Sequence, residues 1–153
     1  LRRAKEVAPG VKPSEASLII TGHGTGLNQN STKAIRDQVD LIIAAGAGYA
    51  SVIDTYMEEA PFIAEWDKLS TSPNVVVVPF FISDGLHSYE DIPVMLGASA
   101  EIVQERFRRG EPTWTNPTTL HGKRVWYGRS IGTAPMLADV VMDRVRESAA
   151  TVL

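Results

Sequence analysis

Four short apolar runs recur along the chain, each followed by a stretch whose apolar residues repeat with a helical period or by a turn-rich segment. The first, Ser17–Thr21, is nearly continuous in its apolar character and is stopped by Gly22, which predicts a strand buried on both faces. Behind it Ala34, Ile35, Val39, Ile42 and Ile43 fall on one helical face, with Asn30 or Ser31 as the expected N-cap. Gly46 and Gly48 end that helix, and Tyr49–Met57 predicts a second strand. Pro61 is placed to open a helix reaching about Leu69. Asn74–Ile82, with consecutive valines from Val75 to Val78, predicts a third, central strand. Asp91 is the expected N-cap of a helical stretch to about Arg108, and Arg109–Lys123 follows as a long loop. Arg124–Tyr127 is the fourth strand, and Thr133 with Pro135 starts a final amphipathic helix through Val145.

Strands alternating with helices imply right-handed crossovers and a parallel sheet covered on both sides. The expected fold is therefore α/β: doubly wound, with a mainly parallel four-stranded sheet and helices on both faces. Residues 17–150 form the expected domain, and residues 1–16 an N-terminal extension or linker. Ligands of such sheets collect beyond the carboxyl ends of the strands, where strand order reverses. The loops that follow strands are thus the ones to search.

Composition narrows the chemistry. At 153 residues, with a formal charge of −3, there is no global electrostatic attraction to nucleic acid or an anionic membrane. No apolar run approaches the length of a membrane span, and a cytoplasmic protein is the simplest reading. Cysteine is absent, which excludes disulfides, thiolate metal sites and cysteine nucleophiles. Any metal would have to use imidazole and carboxylate donors.

Three strand-end loops carry such donors: His23, the Glu58 and Glu59 pair, and His87. Both histidines lie close to glycines, in Gly22-His23-Gly24 and after Gly85, where missing side chains admit a ligand. Asp84 is a candidate to orient an imidazole, while Glu58 and Glu59 could equally favour a helix N-terminus. Arg129 follows the fourth strand on the same rim and could meet a carboxylated ligand. His121, inside the long loop, reads as solvated. The Gly22–Gly26 segment lacks the lysine of a P-loop, so a phosphate-binding reading is weak.

The segments Ile19–Thr25, Asp54–Pro61 and above all Val77–Pro93 resemble the class II chelatases, nearest to the CbiX-like sirohydrochlorin cobaltochelatases, from about Ser17 to Arg144. The loop after His23 departs from the Ser-Arg-Asp type of small chelatases. The resemblance implies a chelatase-like domain that inserts Co2+ into sirohydrochlorin without ATP, in cobalamin or related tetrapyrrole biosynthesis. It implies His23 and His87 as the metal-handling and catalytic histidines and Glu58, with Glu59 as the alternative, as the acidic residue. The metal enters as substrate, and no tightly bound cofactor is expected. Ferrochelatase or nickelochelatase activity, or a non-catalytic metal or tetrapyrrole-binding module, are the other readings. The expected partners are sirohydrochlorin and the divalent metal, with a second copy of the chain or a second chelatase-like domain, and no nucleic acid or membrane.

Overall fold

A computed structural model of the chain describes residues 1–25 and 29–151. The order of elements is α1 (Arg2–Val7), β1 (Ala16–Gly22), α2 (Gln29–Ala44), β2 (Ser51–Tyr56), α3 (Trp66–Leu69), β3 (Asn74–Pro79), α4 (Ile92–Met95), α5 (Ala100–Arg108), β4 (Thr118–Leu120), β5 (Lys123–Tyr127) and α6 (Met136–Thr151). The sheet runs β2-β1-β3-β5-β4. Strands β2, β1, β3 and β5 are parallel to one another, and β4 is antiparallel to β5.

The alternation of side chains along each strand divides the interior into two cores. Leu18, Ile20, Val76, Val78 and Trp126 face α1 and α2 through Ala4, Ala8, Ile35 and Val39. Ile19, Val75, Val77, Val125 and Tyr127 face the opposite side and pack on Ile63, Trp66, Ile92 and Leu96. Covering both faces is why the central strands are apolar at every position rather than at every second one. Each fully buried valine in β3 contributes on the order of 1.5–3 kcal/mol relative to exposure.

Several elements differ from expectation. The sheet has five strands: the expected Arg109–Lys123 loop contains β4, which turns through His121, at φ 50°, and Gly122 to pair with β5. The first sixteen residues, read as an extension or linker, include α1, whose Ala4 is buried against the sheet and whose Arg3 donates to the Thr133 hydroxyl at 2.8 Å. No helix opens at Pro61. That segment runs beside the end of β2, with Pro61 accepting from Tyr56 N–H at 2.9 Å and Phe62 bridging Tyr56, so helical structure begins only at Ile63. The helix expected from Asp91 to Arg108 is split into α4 and α5, with Gly97 at φ 109° between them, and a π-helical turn at His87–Asp91 leads into it. Helix α2 starts ahead of Asn30 and Ser31, so neither is its cap, and Gly26 and Asn28 lie outside the described residues. Helix α6 leaves Val140, Val141, Met142 and Val145 about half exposed instead of burying an apolar face. Among the described residues, no helix is long and apolar enough to cross a membrane.

Candidate functional site

Connections from β1 lead to β2 on one side while β3 lies on the other, so strand order reverses between β1 and β3. The crevice beyond their carboxyl ends is the ligand position of an open α/β sheet. His23 follows directly on β1, and the backbone ties it to the end of β2: Met57 N–H donates to the His23 carbonyl at 3.0 Å and Glu58 N–H at 3.1 Å. This registration brings Glu58 beside the His23 ring, with Oε1 3.6 Å from Nε2. His23 Nδ1 lies 2.8 Å from the Gly24 carbonyl. A carbonyl only accepts, so Nδ1 donates to it, and in the neutral ring this leaves the Nε2 lone pair for an ion.

His87 arrives from the other side of the crevice. Its ring is 5.1 Å from that of His23, centre to centre, and inclined at 67°. An ion about 2.1 Å from one nitrogen of each imidazole, at a tetrahedral angle, would set the ring centres roughly 5 Å apart. The pair therefore has the spacing of two ligands to one ion. Phe81 flanks His87 at 6.0 Å, and the His87 Nδ1 lies 2.6 Å from Asp91 Oδ2. Among the described residues no group of three or more His, Asp or Glu is placed to hold a metal ion together.

The turn that bears His87 is anchored to the loop after β5. Tyr127 donates its hydroxyl to the Ser88 carbonyl at 2.8 Å, the Ser88 and Ser130 hydroxyls are 2.8 Å apart, and Gly132 N–H donates to the Phe81 carbonyl at 2.9 Å. Gly132 is obligatory there, because a Cβ would run into the Ile82 backbone. Burial pushes the Tyr127 phenol up, keeping it a neutral donor.

Asp84 does not orient an imidazole. Its carboxylate accepts from Ser130 N–H at 2.7 Å and from Arg129 Nε at 3.0 Å, joining the loops after β3 and β5. Burial acts to raise its pKa, but the hydrogen bonds from Ser130 and Arg129 outweigh it and hold the carboxyl below the ordinary range. Arg129 thus pairs with Asp84, with its side chain 68% exposed. Glu59 turns away from the histidines, accepting from Thr25 N–H at 3.3 Å and from the Thr32 hydroxyl. Asp91 makes no capping bond and contacts His87 instead, a partner that the i, i+4 spacing in a helical segment could have flagged. His121 lies in the β4–β5 turn, before the start of β5, with its ring 5.6 Å from Trp66 and its Nδ1 3.8 Å from Asp67.

Beside His23 opens an apolar cleft of about 480 Å3, lined among others by Ile35, Phe80, Phe81, Ile131, Leu137 and Val141. An apolar wall next to paired imidazoles suits a large flat ligand presented to a metal.

Comparison with known proteins places this architecture among the chelatases. The CbiX family profile matches residues 17–148. The chain is 36% identical over 135 residues to a protein of Halobacterium salinarum named a probable sirohydrochlorin cobaltochelatase, a match covering 88% of this chain and 43% of the relative. It is 25% identical over 140 residues to a sirohydrochlorin cobaltochelatase of Methanopyrus kandleri, covering 86% of this chain and 96% of that one. DR2241 of Deinococcus radiodurans, a multi-domain protein with structural similarity to chelatases, superposes with a TM-score of 0.70 at 24% identity, over 88% of this chain and 29% of that one. The sirohydrochlorin chelatase SirB of Bacillus subtilis subspecies spizizenii, in complex with cobalt, superposes with a TM-score of 0.59 at 18% identity, over 87% of this chain and 50% of that one. The chain belongs to the CbiX family of class II chelatases. It spans less than half the length of the Halobacterium relative.

Proposed function

We propose that the chain inserts a divalent metal ion, with Co2+ preferred, into sirohydrochlorin without ATP. The observation that carries this reading is the pairing of His23 and His87 at 5.1 Å, at the β1/β3 switch point and beside an apolar cleft. The His23 Nε2 atom faces the Glu58 carboxylate at 3.6 Å, which sets a carboxylate beside the pair.

The metal arrives hydrated, and neutral imidazoles of His23 and His87 replace part of its water. Imidazole suits Co2+, Ni2+ and Fe2+. A two-histidine site with one adjacent carboxylate, open on its remaining sides, can hand its ion to the macrocycle nitrogens. As the metal enters, the macrocycle loses two pyrrole N–H protons: Glu58 accepts one as general base, and an imidazole released by the departing ion accepts the other. Arg129 keeps its Nε on Asp84 and meets the substrate's carboxylates with its outward nitrogens. A second copy of the chain, or a second domain of like fold, covers the open side of the cleft.

Support for sirohydrochlorin and for cobalt comes from the names of the relatives above. Fe2+ and Ni2+ are the competing ions, because the donor set discriminates little among them. The test is optical: sirohydrochlorin and each metal are mixed with the protein, and the metallation rate is compared with the uncatalysed one. Acceleration, greatest with Co2+, is expected. No acceleration with any ion would leave a binding module rather than an enzyme. His87→Ala should fold normally and lose most of the acceleration, since the His87 side chain is 49% exposed and adds little to the core. A fully active His87→Ala protein would remove His87 from the site.

A further inference from the structure

We propose that Asp91 is a positioning residue that fixes the tautomer and direction of the His87 ring. The metal-binding consequence rests on the reading of His87 as a ligand, but the tautomer does not. Asp91 sits where a helix N-cap is expected, directly ahead of α4 with Pro93 in the first turn. It does no capping: its backbone is already helical, at φ −65° and ψ −50°, and its side chain makes no bond to the turn that follows. The carboxylate instead reaches back to His87 Nδ1 at 2.6 Å, the short distance of a charge-assisted hydrogen bond.

The backbone is shaped for this contact. His87–Asp91 is a π-helical turn, closed by Ile92 N–H on the His87 carbonyl, between two segments of ordinary direction. Such widened turns are rare and concentrate at functional sites. Here the turn is bolted down by the Tyr127 hydroxyl on the Ser88 carbonyl and by the Ser88–Ser130 contact, so it does not swing with the exposed side chains. With a carboxylate oxygen against it, Nδ1 is the nitrogen that donates, and in the neutral ring the Nε2 lone pair of His87 is left for an ion. His23 reaches the same state through the Gly24 carbonyl. Both rings of the pair are thus held in one tautomer by different acceptors, one on the main chain and one on Asp91. Histidine ligands generally depend on such a partner, whose loss costs about 10–100-fold in metal affinity.

The experiment reads the tautomer directly. Long-range nitrogen–proton NMR of the metal-free protein, recorded on the alkaline side of the imidazole transition followed in the same spectra, identifies which ring nitrogen of His87 bears the proton, with His87→Ala assigning the signal. Wild type is expected to show Nδ1–H, Asp91→Ala to move towards the Nε2–H form that free histidine favours, and Asp91→Asn to lie between them. Co2+ titration of the same proteins should weaken by about 10–100-fold in Asp91→Ala, with kcat for metallation falling and KM for the macrocycle little changed. An Nε2–H signal in wild type, or one unchanged in Asp91→Ala, overturns the proposal. So does unchanged Co2+ affinity in Asp91→Ala when His87→Ala abolishes binding. If His87→Ala itself binds Co2+ normally, the ligand reading fails, while the tautomer result still decides the role of Asp91.

Discussion

Adjacent residues of like chemistry do different work in this chain. Glu58 lies beside His23, whereas Glu59 ties the segment after His23 to α2 through Thr25 and Thr32. Glu58→Ala is expected to lower the metallation rate on the order of 10²-fold without moving the urea midpoint. Glu59→Ala should cost roughly 1–3 kcal/mol of stability, with the smaller effect on kcat. Equal behaviour of the two variants in both measurements would contradict the geometry. Nothing in the residue types separates the pair, because the choice depends on which way each side chain turns from β2. The placing of the histidines was legible from sequence: His23 follows β1 directly and His87 lies in the segment after β3, and loops that follow parallel strands gather at one edge of the sheet. The two aspartates were assigned the wrong way round: Asp84, expected to orient an imidazole, staples two loops, and Asp91, expected to cap, holds His87.

Asp84 also makes stability depend on pH. Its folded pKa lies below the unfolded value of roughly 3.9, so its contribution is complete above that value. It is lost as pH falls through the depressed folded value. Asp84→Asn should therefore be less stable than wild type near neutrality by roughly 1–3 kcal/mol, and the gap should close in acid. Denaturant titrations of both proteins across that range would show a constant gap if the pairing were idle.

At the scale of elements, β1 has two ends with separate tasks. Its carboxyl end delivers His23, while at its start the buried Ser17 hydroxyl is met by those of Ser51 and Ser70 at 2.8 Å and of Ser72 at 3.0 Å. This polar knot joins the beginnings of three neighbouring parallel strands or their approaches. Ser17→Ala leaves its partners short of a bond in a dry interior, at a cost of about 1–3 kcal/mol. Metallation should be unchanged below the melting transition, since the knot and the histidines are at opposite ends of the strand. A loss of activity in step with stability at low temperature would contradict that separation. The strands were legible because continuous apolar runs have few alternatives in a covered sheet. The short helices were not. Phe62 bridges the end of β2 and Gly97 interrupts the stretch before α5, and these are tertiary choices that local propensity does not encode.

At the scale of the molecule, α1 belongs to the same core as the sheet. Ala4 is 1% exposed and packs in the cluster with Val76, Val78 and Trp126. Ala4→Leu should overpack that layer and cost about 1–3 kcal/mol, measured by thermal or urea unfolding. A neutral Ala4→Leu would mean that α1 rests loosely on the sheet.

The sequence by itself determined that this is a mainly parallel α/β domain and that His23 and His87 follow strands at one edge of its sheet, because burial on both faces demands apolar strands and parallel strand ends point one way. Which residues then meet across that rim was decided only by the tertiary structure. The 5.1 Å approach of the two rings and the placing of Glu58 beside His23 and of Glu59 on Thr25 and Thr32 depend on contacts between segments distant in the chain. Such contacts are set by packing and hydrogen-bond geometry, and no local pattern of residues carries them.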